Sequence, residues 1–252
     1  FSTFSKKIFG NFNLCLSSDE KSKKYLKILG GNNIKFFGNL KFSQSEKEKI
    51  DIENKLEGFF SKKNIWCASS THDGEEKFLG LVHKELKKKY KNLLTILIPR
   101  HVERVKKISS ELKLLNLKIH LHQTKGKIPN DTDIYIVNAY GKNKSFYNIC
   151  KNVFLGGSLI NHGGQNPLEA VRYGCNILHG PQTYNFTEIY SFLKRKNISK
   201  KINSQKQMVS HLEKLFSKRP SQKKIQKKLN FIGQNILNKT YNEVKLILKN
   251  EI

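Results

Sequence analysis

Within GGSLINHGGQNPLEA, Gly156 to Ala170, two glycine pairs precede a proline-headed helix start. Glycines let a backbone approach a ligand closely, and a helix amino end offers free N–H groups and a positive dipole to an anion. Asn166 reads as the N-cap, Pro167 as the first helical residue and Glu169 as the third, with Leu168 between them. Gly157, Ser158 and Gly164 are then candidate contacts for a phosphate cradled ahead of the helix. The alternative is plainer: turn glycines before a well-capped helix, with no ligand at all.

Four other short stretches could join such a site. In SSTHDGEE, Ser69 to Glu76, the hydroxyls and backbone donors of Ser70, Thr71 and His72 suit a sugar carboxylate or phosphate, while Asp73 and Glu75 favour a helix start. His72 taken alone reads as a structural hydrogen-bonder. In IPRHVER, Ile98 to Arg104, Pro99 fixes a turn and Arg100 could clamp a phosphate in the bidentate way that lysine cannot imitate. Arg104, one turn later, reads as a structural ion pair. In NAYGK, Asn138 to Lys142, Gly141 permits a tight turn beside Ala139, and Tyr140 could lie against a nucleobase. HGPQTYNFTEI, His179 to Ile189, carries a Gly-Pro turn and Asn185 as a further N-cap, which would close a rim.

These stretches must be positioned by regular elements, and the periodicity supplies them. Strands are expected at 65–69, 93–98, 118–122, 133–138, 153–155 and 176–179, and helices at 74–90, 102–115, 145–150, 167–173 and 186–196. Short apolar strands alternating with helices define an α/β chain whose parallel sheet is covered on both faces, and ligands of such sheets bind at the carboxyl ends of the strands. All five stretches fall at those ends. Upstream, apolar runs at 12–17 and 34–37 flank a helical stretch at 19–29, the tail of another β-α-β unit. The polar SQSEKEK segment then leads into an expected helix and suits a domain connection, with the boundary near residue 42. The first domain is expected to contribute 1–42 and the second 43–252, whose Lys-rich terminal helices from Gln205 onward pack on it.

With 252 residues and 37% hydrophobic content the chain can bury a substantial core. No window approaches the ~18 apolar residues needed to span a bilayer. The formal charge is +27, yet only five of the 47 basic residues are arginine. Base-reading proteins lean on bidentate arginine, and the aromatics here follow core patterns, so no nucleic-acid partner is expected. An anionic membrane surface is a better match for the lysines, with ordinary solvated helix faces as the plainer and commoner explanation. Cys15, Cys67, Cys150 and Cys175 lack metal-binding spacing and read as free thiols in a reducing compartment; no metal and no cofactor are expected. The first residue is Phe1 and the sole methionine is Met208, which suggests a fragment.

Taken together the stretches resemble the bacterial 3-deoxy-D-manno-octulosonic acid (Kdo) transferases. The resemblance rests on GNLKF (Gly38 to Phe42), STHDGEE (Ser70 to Glu76), PRHVER (Pro99 to Arg104), FLGGSL (Phe154 to Leu159), GGQNPLEA (Gly163 to Ala170) and GPQTYNF (Gly180 to Phe186), in that order. It implies a GT-B architecture of Rossmann-like domains, of which this chain holds the donor-binding second domain and the tail of the first. It further implies that Pro99 and Arg100 hold the phosphate side of CMP, that Ala139, Tyr140 and Gly141 line the cytosine pocket, and that Asn166 to Glu169 meet ribose and phosphate, Glu169 taking the ribose hydroxyls.

The implied reaction is inverting transfer of Kdo from CMP-Kdo to the lipid A precursor in lipopolysaccharide synthesis, at the cytoplasmic face of the bacterial inner membrane. The family's catalytic base and membrane anchor belong to the amino-terminal portion, so no residue of this chain is expected to be the base. The family pattern has Asp-Thr-Met-Gly-Glu where Asn138 to Lys142 stand, and histidine where Gln165 and Gln182 stand; neutral amides keep hydrogen bonds but shuttle no protons. Two other readings remain: a UDP-sugar-dependent transferase or epimerase on the same architecture, and a basic binding module without catalysis.

Overall fold

The computed structural model describes residues 2–44, 54–122, 127–218 and 222–250. Its elements are α1 (Ser2–Gly10), β1 (Cys15–Leu16), α2 (Glu20–Ile28), β2 (Ile34–Lys35), α3 (Asn54–Phe60), β3 (Asn64–Thr71), α4 (Glu75–Lys89), β4 (Leu93–Pro99), α5 (Val105–Lys113), β5 (Ile119–Leu121), β6 (Ile134–Ile136), α6 (Asn143–Ile149), β7 (Asn152–Leu155), α7 (Leu168–Arg172), β8 (Asn176–His179), α8 (Thr187–Arg195), β9 (Ser199–Lys201), α9 (Gln205–Lys218) and α10 (Gln222–Asn250).

They fall into two compact units, residues 1–47 with 227–252, and residues 48–226. The expected division put everything after residue 42 in the second domain, and the helix from Lys227 onward departs from it. Two glycines explain the difference. A Cβ on Gly233 would stand 2.3 Å from the Phe42 carbonyl oxygen, and one on Gly38 would stand 2.6 Å from Ile236 Cδ1, so α10 is seated directly on residues 38–43. In the same unit β1 and β2 pair in parallel, Cys15 opposite Ile34, as the β-α-β pattern requires. Helix α1 escapes the sequence reading, which begins at residue 12. The SQSEKEK segment lies almost wholly outside the described residues, and the first described helix beyond it is α3.

The second unit is built on seven parallel strands in the order β5-β6-β4-β3-β7-β8-β9. Strand β4 is buried at every position, and β3 from Trp66 on, which is how a strand covered on both faces reads. Side chains alternate between the faces. Trp66 and Ala68 join Leu79, Val82 and Leu86 of α4 and Met208 and Leu212 of α9 in one core layer. Ser69 faces the other way, its Oγ 2.6 Å from the Tyr147 hydroxyl on α6. On that face Phe60 stands edge-on to Tyr135, with centroids 5.3 Å apart. The expected strands and helices of this unit are present; β9 was not foreseen. Its Ser-Lys-Lys sequence carries no apolar run, and an edge strand exposed along one side needs none.

Cys67, Cys150 and Cys175 are buried free thiols, and Cys15 is half-buried and free. Among the described residues no helix is long and apolar enough to cross a membrane, and no group of three or more His, Cys, Asp and Glu side chains is placed to hold a metal ion.

Candidate functional site

From β3 the chain moves to β4 on one side and returns to β7 on the other, so the strand order reverses between β3 and β7. Loops leaving the carboxyl ends of strands on either side of such a point part to form a crevice. Ser70 to His72 close β3, Pro99 and Arg100 close β4, Ala139 to Gly141 follow β6, Gly156 to Gly164 follow β7, and Gly180 follows β8. The structure thus gathers the sequence motifs on one rim, and then divides them between two different tasks.

Between β3 and β7 the rim is a closed knot centred on Glu75. Its carboxylate accepts N–H bonds from His72 (3.0 Å), Gly157 (2.7 Å), Ser158 (3.1 Å) and Leu159 (3.0 Å). Burial pushes this carboxyl above its ordinary range even though four backbone donors pull it down. Gly156 donates to the Ser69 carbonyl and Gly164 to the Gly157 carbonyl, each at 2.8 Å. The Ser158 hydroxyl donates to Leu155 and accepts from Gly180. The open phosphate cradle expected here is therefore corrected: the amides of Gly157, Ser158 and Gly164 are already bonded within the protein. Glycine is required for close packing instead, since a Cβ on Gly156 would stand 2.3 Å from the Ser70 carbonyl oxygen.

The helix start differs from expectation as well. Asn166 Oδ1 accepts from the Leu168 N–H at 3.1 Å, but the cap position itself falls one residue later than expected, on Pro167, which has helical dihedrals and no side-chain cap bond. Yet α7 runs only from Leu168 to Arg172, so few aligned peptide dipoles stand behind its amino end. Pro167 and Leu168 are buried, and neither they nor Asn166 line the neighbouring hollow.

That hollow lies on the β4–β6 side of the rim and encloses about 270 Å³, lined by Ser70, Ile98, Pro99, Arg100, Ala139, Tyr140, Gly141, Asn143, Lys144 and Glu169. Six of the nine principal expected contacts are thus brought together: Pro99, Arg100, Ala139, Tyr140, Gly141 and Glu169. Ser70 joins them from the secondary group, and Thr71, His72, Gly157, Ser158 and Gly164 do not line it. Asn143 and Lys144 were missed. The signal was available, because a helix beginning just past Gly141 must present its first turn to the same rim.

The polar groups around the hollow are fixed unequally. Arg100 is exposed, its N–H bonded to the Thr71 carbonyl at 3.0 Å, and among the described residues no carboxylate pairs with its guanidinium. Tyr140 donates its hydroxyl to Glu103 at 2.9 Å, which ties the loop after β6 to the loop after β4 while leaving the residue 69% exposed. Ser70 holds a left-handed backbone, φ 55°, uncommon for a residue with a side chain. Arg104 is spent, as foreseen, on a two-pronged pair with buried Glu76 at 3.0 and 3.1 Å and a third contact to Asp73.

Beside the hollow, His72 packs against His162 with ring centroids 4.1 Å apart and against His101 at 5.8 Å. Gln165 Nε2 lies 3.3 Å from His72 Nε2. Burial, reinforced by the neighbouring His162, His101, Arg104 and Arg100, pushes the His72 imidazole down to about 4, so it is neutral at pH 7.

No family model matches the chain. Among curated proteins it is 30% identical over 191 residues to the 3-deoxy-D-manno-octulosonic acid transferase of Haemophilus influenzae, covering 74% of this chain and 44% of that protein. It is 27% identical over 206 residues to the enzyme of that name from Aquifex aeolicus, covering 82% and 54%. For Rickettsia bellii the figures are 31% over 216 residues, 84% and 51%. The chain thus spans about half the length of these relatives.

Among solved structures it is similar to the C-terminal CMP-Kdo binding domain of WaaA from Acinetobacter baumannii, with a TM-score of 0.63, 22% identity, and 72% of this chain and 93% of that one covered. A UDP-N-acetylglucosamine 2-epimerase from Listeria monocytogenes superposes with a TM-score of 0.52 at 14% identity, covering 89% and 57%. These likenesses agree with the sheet topology in placing the fold among Rossmann-like units of the GT-B type. From the order of its rim motifs and from these relatives, the chain belongs to the bacterial 3-deoxy-D-manno-octulosonic acid transferase family.

Proposed function

We propose that this chain is the donor-binding part of a glycosyltransferase that moves Kdo from CMP-Kdo to a lipid A precursor, with CMP seated in the hollow between β3, β4 and β6. The observation that carries the reading is Arg100, a guanidinium that is exposed and unpaired among the described residues, on a wall shared with an exposed tyrosine and a carboxylate. The guanidinium would meet the phosphate. Ala139, Tyr140 and Gly141 would face cytosine, and Glu169 would accept from the vicinal ribose hydroxyls. Asn166, Pro167 and Leu168 would support that carboxylate through the chain rather than touch the ligand.

In the reaction an acceptor hydroxyl attacks the anomeric carbon of Kdo from the face opposite the phosphate. A carbon–oxygen bond forms, the bond to the phosphate oxygen breaks, and CMP departs with both electrons while the hydroxyl proton passes to a general base. Attack from behind inverts the anomeric centre. Charge growing on the leaving phosphate would be met by the guanidinium of Arg100, whose main chain is fixed at the strand end by its N–H bond to the Thr71 carbonyl. No side chain of this chain is assigned as the base; the scheme takes it from the part of the relatives' length that the chain does not span. The lysine-rich surface would favour the anionic cytoplasmic face of the inner membrane, where the acceptor resides.

The alternative on the same fold is a UDP-sugar enzyme. Calorimetric titration with CMP and UMP separates the two: CMP binding at least about tenfold tighter supports the proposal, and preference for UMP overturns it.

A further inference from the structure

We infer that His101 and His162, packed around His72 and bordered by Arg100, form a subsite for the carboxylate of an acidic donor sugar. The inference rests on the proposed seat for CMP and deepens it. Three imidazoles are delivered by three separate loops, those after β3, β4 and β7, and meet at one point of the rim. Gly157 keeps them together: a Cβ there would stand 2.8 Å from His162 Cδ2 and 3.3 Å from both Cδ2 and Nε2 of His72. The glycine that proved unavailable to a phosphate thus has a second task, which is to leave room for the histidine pair. His72 is nearly buried, whereas His101 and His162 are exposed above it.

The surrounding charges select the ligand. Glu75 is filled by its four backbone donors, Glu76 by Arg104, and Asp73 by Arg104 and Lys107. Glu103 accepts from Tyr140 and lies 3.4 Å from His101 Nδ1. What remains at the surface of the trio is imidazole N–H and a guanidinium, which are donors and suit an anion. The position also fits the chemistry of a 2-ulosonic acid. Its carboxylate is attached to the anomeric carbon, the atom that carries the phosphate oxygen, so its partners must stand beside the phosphate's partner. His101 adjoins Arg100 in the chain, and His72 is two residues from Ser70, which lines the hollow. A neutral hexose has no group to place there.

The test is titration of the wild type, His162→Ala, His162→Gln and the double variant His101→Ala/His162→Ala with CMP and with freshly made CMP-Kdo. Both replaced residues are exposed, so folding is spared. The wild type is expected to bind CMP-Kdo about tenfold or more tighter than CMP, the double variant to reduce that advantage to about threefold or less, and His162→Gln, which keeps an N–H donor, to retain more of it than His162→Ala. CMP affinity should stay within about twofold throughout, because neither residue lines the nucleotide hollow. An undiminished advantage in the double variant, or none in the wild type while CMP binds, overturns the subsite alone. Absence of CMP binding in the wild type overturns the nucleotide reading and the subsite with it.

Discussion

Along one rim of the sheet, two neighbouring regions treat polar groups in opposite ways. Where β3 adjoins β7, Glu75 satisfies four amides and Ser158 both donates and accepts, so the backbone amides of these loops are consumed by the protein. Around β4 and β6 the loops hold one another through Tyr140 and Glu103, but the Arg100 guanidinium is left without a protein anion among the described residues. Glycine is dense in the first region and sparse in the second. Dense glycine here marks backbones packed too closely for a Cβ, and the guanidinium left unpaired among the described residues is the group that the proposed nucleotide would meet.

The contrast is broken most severely by removing Glu75. Glu75→Ala would strand several buried amides, each worth about 1–3 kcal/mol if left unsatisfied, and partial entry of water brings the expected loss of stability to about 3–5 kcal/mol. Glu75→Gln should fall between that variant and the wild type, because one carbonyl oxygen still accepts while its amide group faces donors. Urea unfolding measures both. A loss below ~1 kcal/mol for the alanine variant would mean that the knot is not what holds these loops.

Acid probes the same region next. His72 and His179 are both pushed down to about 4, chiefly by burial, from an ordinary value near 6.5. Between those limits the unfolded chain binds more protons than the folded one, so their contribution is complete above pH 6.5 and is lost as pH falls toward 4. The deeply enclosed His179 can withdraw up to ~3 kcal/mol over that window, and the more solvent-screened His72 correspondingly less. Glu75, whose carboxyl is raised, acts in the opposite sense around its ordinary value and blunts the decline. Unfolding free energy measured from pH 7.5 to 4.5 should therefore drop steadily, and replacing His179 by Phe should flatten the curve. A flat profile in the wild type would contradict the neutral, buried state of both rings.

This division bears on what the sequence could disclose. The strands and helices of residues 64–196 were legible because β3 and β4 carry short apolar runs, Ile65 to Ala68 and Leu93 to Ile98 interrupted only by Thr95, between helices with clear faces, and that pattern also put Arg100, Tyr140 and Glu169 on a common rim. The role of the glycines was not legible. GGSLINHGG looks the same whether its amides face a phosphate or a buried carboxylate, and the deciding residue, Glu75, lies more than eighty positions away. Strand β9 was hidden for a related reason, since pairing with β8 rather than any side-chain pattern defines it.

Arg100 tests the open half of the comparison. Arg100→Ala should weaken CMP binding by about 10- to 100-fold, the worth of one charge-assisted partner, or about 1.5–3 kcal/mol. Its side chain is exposed and unpaired among the described residues, so the melting temperature should hardly change. In an intact transferase, turnover should fall by about a hundredfold or more, as loss of a preorganised charge partner does elsewhere. Retained affinity with lowered stability would reverse the contrast and make Arg100 a structural residue.

The smallest effect sharpens the boundary between the two regions. Tyr140→Phe keeps the exposed ring for stacking on a base and deletes only the hydroxyl that reaches Glu103. That bond is solvent-exposed, and its net worth is about 0.5–1 kcal/mol. Its loss would loosen the loop after β6 without emptying the hollow, so CMP affinity should fall by about two- to fivefold. Tyr140→Ala removes the ring as well, and the further loss from that step should exceed the first, since base–aromatic stacking is worth about 1–3 kcal/mol. If instead the phenylalanine variant already shows the full loss, the tyrosine acts by anchoring its loop to Glu103, and the base is held by something other than its ring.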